Sequence, residues 1–148
     1  MILTMNPYLM LDGDGQAAIE FYQDALNAEV ITIQTYGDLP EQPNSPMASV
    51  NKDLILHAHL KLGEMDLMIS DQCLDVDPER FPQHSGSPVT IALTTNNVEM
   101  TTEVFQKLAS GGEEIAPLEK TFFSPLYGQV TDKFGITWHV STQEESFN

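Results

Sequence analysis

Cationic side chains are scarce in this 148-residue chain, with six Lys plus Arg against 22 Asp plus Glu and a formal charge of −16. A field of that sign repels phosphate backbones and anionic lipid surfaces, so nucleic acid and membrane are poor partners; the same acidity also serves simply to keep a surface solvated. Cysteine is nearly absent. Cys73 stands alone, which excludes an internal disulfide and any CxxC pair, and its neighbours Asp71, Asp75 and Asp77 disfavour a thiolate nucleophile. Long apolar runs are missing too. No stretch approaches the ~20 apolar residues of a membrane span, and the start MILTMNPYLML lacks a basic segment, so we expect no signal peptide and a cytoplasmic protein.

What is present suffices for a core: 41% of the residues are hydrophobic, enough for one domain or for two small halves that share one. The most legible stretch is YGQVTDKFGITWHVS, Tyr127 to Ser141. Asp132-Lys133-Phe134-Gly135 reads as a tight turn between two β-rich flanks, with Gly135 free to take the positive φ a turn demands. On the return strand Ile136, Trp138 and Val140 share one face, and Thr137, His139 and Ser141 the other.

The same unit occurs earlier. Pro7 to Leu11 reads as a strand stopped by Asp12-Gly13-Asp14-Gly15, with Asp14 the expected cap of a helix whose stripe is Ala18, Phe21, Tyr22, Ala25 and Leu26. Glu29 to Tyr36 is a strand, and GDLPEQPNSPMASVN, with three prolines, a loop that could act as a lid. Leu54 to Leu62 and Asp66 to Ser70 form a hairpin about Gly63-Glu64, with Leu54, Leu56, Ala58 and Leu60 on one face of its first strand and Ile55, His57, His59 and Lys61 on the other. After an aperiodic connector, 72–87, the order repeats. Val89 to Leu93 is a strand, and Asn96 or Asn97 caps a helix with the stripe Val98, Thr101, Phe105, Leu108 and Ala109. Asn96 and Glu99 resemble a capping box. Glu114 to Leu118 is a strand, and the opening hairpin completes the copy.

Neither half can bury both faces of so small a sheet, so pairing them is the economical solution. We expect an α+β protein, a single domain over 1–148, made of two βαβββ modules at about 5–71 and 88–142 that form a curved mixed sheet around a cleft. Leu9, Leu11, Ile91, Leu93, Trp138 and Val140 would face the helices. Tyr8, Met10, Thr90, Ala92, Thr94 and His139 would line the cleft.

Four stretches, PYLMLDGDGQAAIEFY, HAHLKLGEMDLMISD, LASGGEEIAPLEKTFF and YGQVTDKFGITWHVS, cover nearly the whole chain. In this order they resemble the vicinal oxygen chelate superfamily, which includes glyoxalase I, bleomycin-resistance proteins and extradiol dioxygenases, and most of all its PhnB-like branch. The resemblance implies a divalent metal held by side chains from the first and last strand of each module, positions that fall here near Asn6, Met68, Thr90 and His139. Of these only His139 is a good donor to a catalytic divalent ion, Met being too soft and Thr and Asn weak. Sequences of this branch are sometimes labelled ubiquinone-pathway methyltransferases. No strand here, however, leads through a GxGxG-type loop into a helix that could seat S-adenosylmethionine.

Two functions follow from these residues. In the first, the cleft binds an unknown small molecule through His57, His59, Met68, Thr90, Phe122, Tyr127 and His139, with no standard metal set. In the second, His57, His59 and His139, with Asp66 the best carboxylate candidate, chelate Zn or Fe for lyase, isomerase or dioxygenase chemistry. Strand imidazoles that merely hydrogen-bond their neighbours are the plainer alternative to that chelate, as a plug of the sheet's open end is to stacking by Phe122, Phe123 and Tyr127. Open edge strands lead us to expect a homodimer.

Overall fold

The computed structural model of the protein describes residues 1–38, 52–71 and 89–143. The expected connector 72–87 and most of the proline-rich loop lie outside the described residues. The chain forms two compact units, divided between Phe81 and Pro82.

In the first unit, β1 (Tyr8–Leu11), α1 (Gly15–Leu26), β2 (Glu29–Thr35), β3 (Ile55–Leu62) and β4 (Met65–Asp71) build a four-stranded sheet of order β1-β4-β3-β2. In the second, β5 (Ile91–Thr95), α2 (Val98–Ala109), β6 (Glu113–Glu119), β7 (Tyr127–Thr131) and β8 (Thr137–Thr142) give β5-β8-β7-β6. The first and last strands pair parallel in each unit and the others antiparallel, so the repeat holds at the level of hydrogen bonding. Register fixes the equivalences. Leu11 and Asp71 are parallel partners as Thr95 and Thr142 are, which sets Leu9 against Leu93 and Met68 against His139. The second copy's first strand therefore begins two residues later than the Val89 expected from its apolar start.

Each unit packs one helix on one face of its sheet. Ala18, Ile19, Tyr22, Ala25 and Leu26 of α1 are buried, as are Leu9, Leu11, Ala58, Leu60, Leu67 and Ile69 of the sheet. Ile19, not Phe21, completes the helix stripe. In the second unit Thr101, Val104, Phe105 and Leu108 of α2 are buried with Val130, Trp138 and Val140. Val98 is exposed, which corrects its place in the expected stripe, and Val104 takes up the core position instead.

A second correction concerns Ile55, expected on the face of His57 and His59. It is fully buried, because between Gln34 and Thr35 of β2 the partner on β3 advances from His57 to Ile55. The extra residue is a β-bulge, which shifts the alternation by one and turns Ile55 to the side of Ala58 and Leu60.

The cap of the first helix differs from expectation, and of the two candidates for the second one is selected. Asp14 makes no side-chain cap bond. The start of α1 is held instead by Asp71, whose Oδ1 accepts from the amides of Gly13 at 3.1 Å and Gly15 at 2.8 Å, while its Oδ2 accepts from Ile55 N at 2.9 Å. In α2 the cap is Asn97, whose Oδ1 accepts from Met100 N at 2.7 Å, rather than the Asn96 and Glu99 pair. The β7–β8 turn is as expected: Gly135 has φ +87°, and Asp132 Oδ1 accepts from the amides of Phe134 and Ile136.

Candidate functional site

With a helix on one face of each sheet, the other face is free to present side chains, and cross-strand partners share a face. In the first unit one row runs across all four strands as Tyr8, Met68, His59 and Thr32. The Tyr8 hydroxyl lies 2.7 Å from Nδ1 of His57, which stands two residues before His59 on β3, and the two rings are 5.5 Å apart. His59 Nε2 lies 2.6 Å from Asp66 Oδ1, with both side chains half-buried. The Asp66 expected as a metal ligand is thus engaged with an imidazole.

In the second unit the equivalent row is Ala92, His139, Gln129 and Ala116, and the next is Thr94, Ser141, Tyr127 and Glu119. Tyr127 OH lies 2.6 Å from His139 Nδ1, and the rings stack at 5.9 Å with 23° between their planes. Phe123 meets Tyr127 edge-on at 5.2 Å, and Phe122 meets Phe123 likewise at 5.2 Å. Thr90 is exposed and lies one residue ahead of β5.

His57, His59 and Met68 therefore occupy the open face of one unit, and His139, Tyr127, Phe122 and Phe123 a continuous group in the other. Period-two alternation identified the faces. It could not identify Tyr8 as the partner of His57, because the strand between them, β4, is brought in from later in the chain.

The superfamily's four metal positions can be tested on this register. Met68 and His139 are equivalent residues, and Asn6 and Thr90 stand equally far ahead of Tyr8 and Ala92, so the four positions are related by the repeat. Their donors are an amide, a thioether, a hydroxyl and one imidazole, and this imidazole already has Tyr127 on Nδ1. That set does not fit a hard or borderline divalent ion. His57, His59 and His139 each have a ring nitrogen engaged within their own unit, by Tyr8, Asp66 and Tyr127. Among the described residues no group of three or more His, Cys, Asp or Glu side chains is placed to hold a metal. A separate hollow of about 480 Å³ opens at the start of α2, lined by Asn97, Lys120, Ser124 and Thr142 among others, and none of the expected site residues lines it.

The family model of the Glyoxalase/Bleomycin resistance protein/Dioxygenase superfamily matches residues 4–140. The chain belongs to that superfamily. It is 30% identical to Protein YjdN of Escherichia coli K12 over 149 residues, 97% of either chain. Among solved structures, protein PA1353 of Pseudomonas aeruginosa is 30% identical with a TM-score of 0.78, covering 97% of this chain and 100% of its own. The PhnB protein of Bacillus cereus is 23% identical with a TM-score of 0.73, covering 95% and 99%. In this superfamily member the βαβββ repeat is thus intact. No helix among the described residues is long and apolar enough to cross a membrane.

Proposed function

We propose that this protein binds a small organic molecule on the open faces of its sheets, without the four-donor metal set of the superfamily's enzymes, and that it works as a homodimer. The observation that carries the reading is the pairing of an intact repeat with Asn6, Met68, Thr90 and His139 where metal ligands would stand. A face that has lost its chelating donors but keeps oriented hydrogen-bonding groups, Tyr8–His57, His59–Asp66 and Tyr127–His139, is suited to recognising polar functions beside apolar ones. The side chains proposed for ligand contact are His57, His59 and Met68 on the open face of the first unit, and Thr90, Phe122, Tyr127 and His139 in the second.

Equilibrium dialysis against Zn, Ni, Mn and Fe, read by metal analysis, combined with ligand-observed NMR against a mixed library of small molecules, tests this. Expected are no stoichiometric metal and at least one saturable ligand weakened in a His139→Ala variant. One tightly held metal equivalent that disappears in His139→Ala would replace the reading by a metal-dependent lyase, isomerase or dioxygenase using His57, His59 and His139.

A further inference from the structure

Phe122 is 96% exposed and Phe123 is 49% exposed, yet the loop that carries them is tied down at several points. Thr121 Oγ1 accepts from the amides of Phe123 and Ser124, and Thr121 N donates to Ser124 O at 3.0 Å. Ser124 is buried, with its hydroxyl 2.8 Å from the carbonyls of both Leu126 and Thr142 and accepting from their amides at 3.2 Å. Two aromatic rings are thus held out in water on a braced backbone. They continue through Tyr127 into the stacked His139, so that four rings touch in sequence from solvent to the middle of the open face.

The charge on this face has one sign. Glu119 lies beside Tyr127, and Glu113 beside Thr131, in the register of β6 and β7. The lysines of the second unit are placed elsewhere: Lys107 with Glu103 on α2, Lys120 at the hollow that opens the helix, and Lys133 over the Phe134 ring in the β7–β8 turn. An anion brought to the face would meet two carboxylates and no ammonium or guanidinium among the described residues. A flat cation or neutral ring would meet π-faces and negative charge, which is the arrangement that attracts it. Ser141, Thr94 and Gln129 beside the rings supply hydrogen bonds to ring heteroatoms or substituents.

We infer that the open face of the second unit takes a planar aromatic molecule, neutral or cationic, stacked on Tyr127 and His139 with Phe123 against its edge and Phe122 beside it. This rests on the ligand-binding reading above and narrows it to one chemical class. Because the rings are already positioned, little ordering entropy opposes binding.

Two planar tricyclic dyes of similar size and opposite charge serve as probes: cationic proflavine and anionic resorufin, followed by fluorescence anisotropy on the full chain at 0.5 M NaCl, where diffuse attraction to an acidic surface is screened. Saturable proflavine binding is expected, at least tenfold tighter than resorufin. Phe122→Ser and Phe123→Ala should each weaken it five- to twentyfold, and Glu119→Gln should narrow the preference between the dyes. Phe122 is so exposed that its replacement leaves the fold intact, and the emission of Trp138, the sole tryptophan, verifies this for each variant. Proflavine binding indifferent to both Phe substitutions, or resorufin bound as tightly, would overturn the inference. If only aliphatic or anionic molecules bind, and His139→Ala weakens them, this inference fails while the general ligand-binding reading stands.

Discussion

Asp71 and Thr142 hold the same place in the two units, each the parallel partner of the residue that ends its unit's first strand, and they brace that corner by different chemistry. The Asp71 carboxylate takes three backbone amides, from Gly13, Gly15 and Ile55. Thr142 shares a 2.6 Å contact with the Thr101 hydroxyl, which in turn lies 2.6 Å from Thr95 Oγ1. One carboxylate thus does in the first unit what a chain of three hydroxyls and a separate Asn97 cap do in the second.

Removing Asp71 exposes that difference. Asp71→Ala leaves buried amides without their acceptor, each worth about 1–3 kcal/mol, and should lower unfolding free energy by roughly 3–5 kcal/mol. Thr142→Val, which leaves Thr95 and Thr101 bonded to each other, should cost about 1–2 kcal/mol. Urea unfolding of both variants checks the ranking, and equal losses would contradict it.

The caps give a second comparison. Asn97→Ala removes the acceptor for Met100 N and should cost about 1 kcal/mol. Asp14→Ala, at the corresponding residue of α1, removes no cap bond and should change stability by less than about 0.5 kcal/mol in the same assay.

Gly15 is the third case. A Cβ there would sit 2.6 Å from Asp71 Oδ2 and 2.8 Å from Ile55 Cγ1, closer than real contacts allow. Alanine is the better helix former by about 1 kcal/mol. The clash with a buried, triply bonded carboxylate outweighs this, so Gly15→Ala should destabilise the protein by about 1–3 kcal/mol. A melting temperature that rose would show that the corner relaxes freely.

Tyr127→Phe removes the hydroxyl 2.6 Å from His139 Nδ1 while preserving the ring stack. Stability should change by no more than about 1 kcal/mol, since both side chains are half-buried and water replaces the lost partner. The His139 ring nitrogen resonances should shift, and those of His57 should not, in nitrogen-detected NMR of the imidazoles.

Alternation and helical spacing read from the chain located both helices within two residues of their ends and seven of the eight strands within one, the exception being β5, displaced by two residues at both ends. There the sequence misleads, because Val89 looks like strand but stands ahead of the parallel pairing with β8 that begins at Ile91. Ile55 misleads for another reason. Its own strand carries a bulge, two residues of β3 advancing against one of β2, which local pattern does not encode.

By itself the sequence determined that one βαβββ unit is used twice and, outside the start of β3, which face of each strand is apolar, since both follow from the order of residue types along the chain, whereas the poor donors near the metal positions are what the family resemblance implies. Only tertiary structure decided that Asp71, not Asp14, caps the first helix, that Tyr8 meets His57, and that four rings join from Phe122 to His139. Those contacts link strands whose adjacency is set by hydrogen-bond register and by the burial of each sheet against its helix. Distance along the chain carries no information about them.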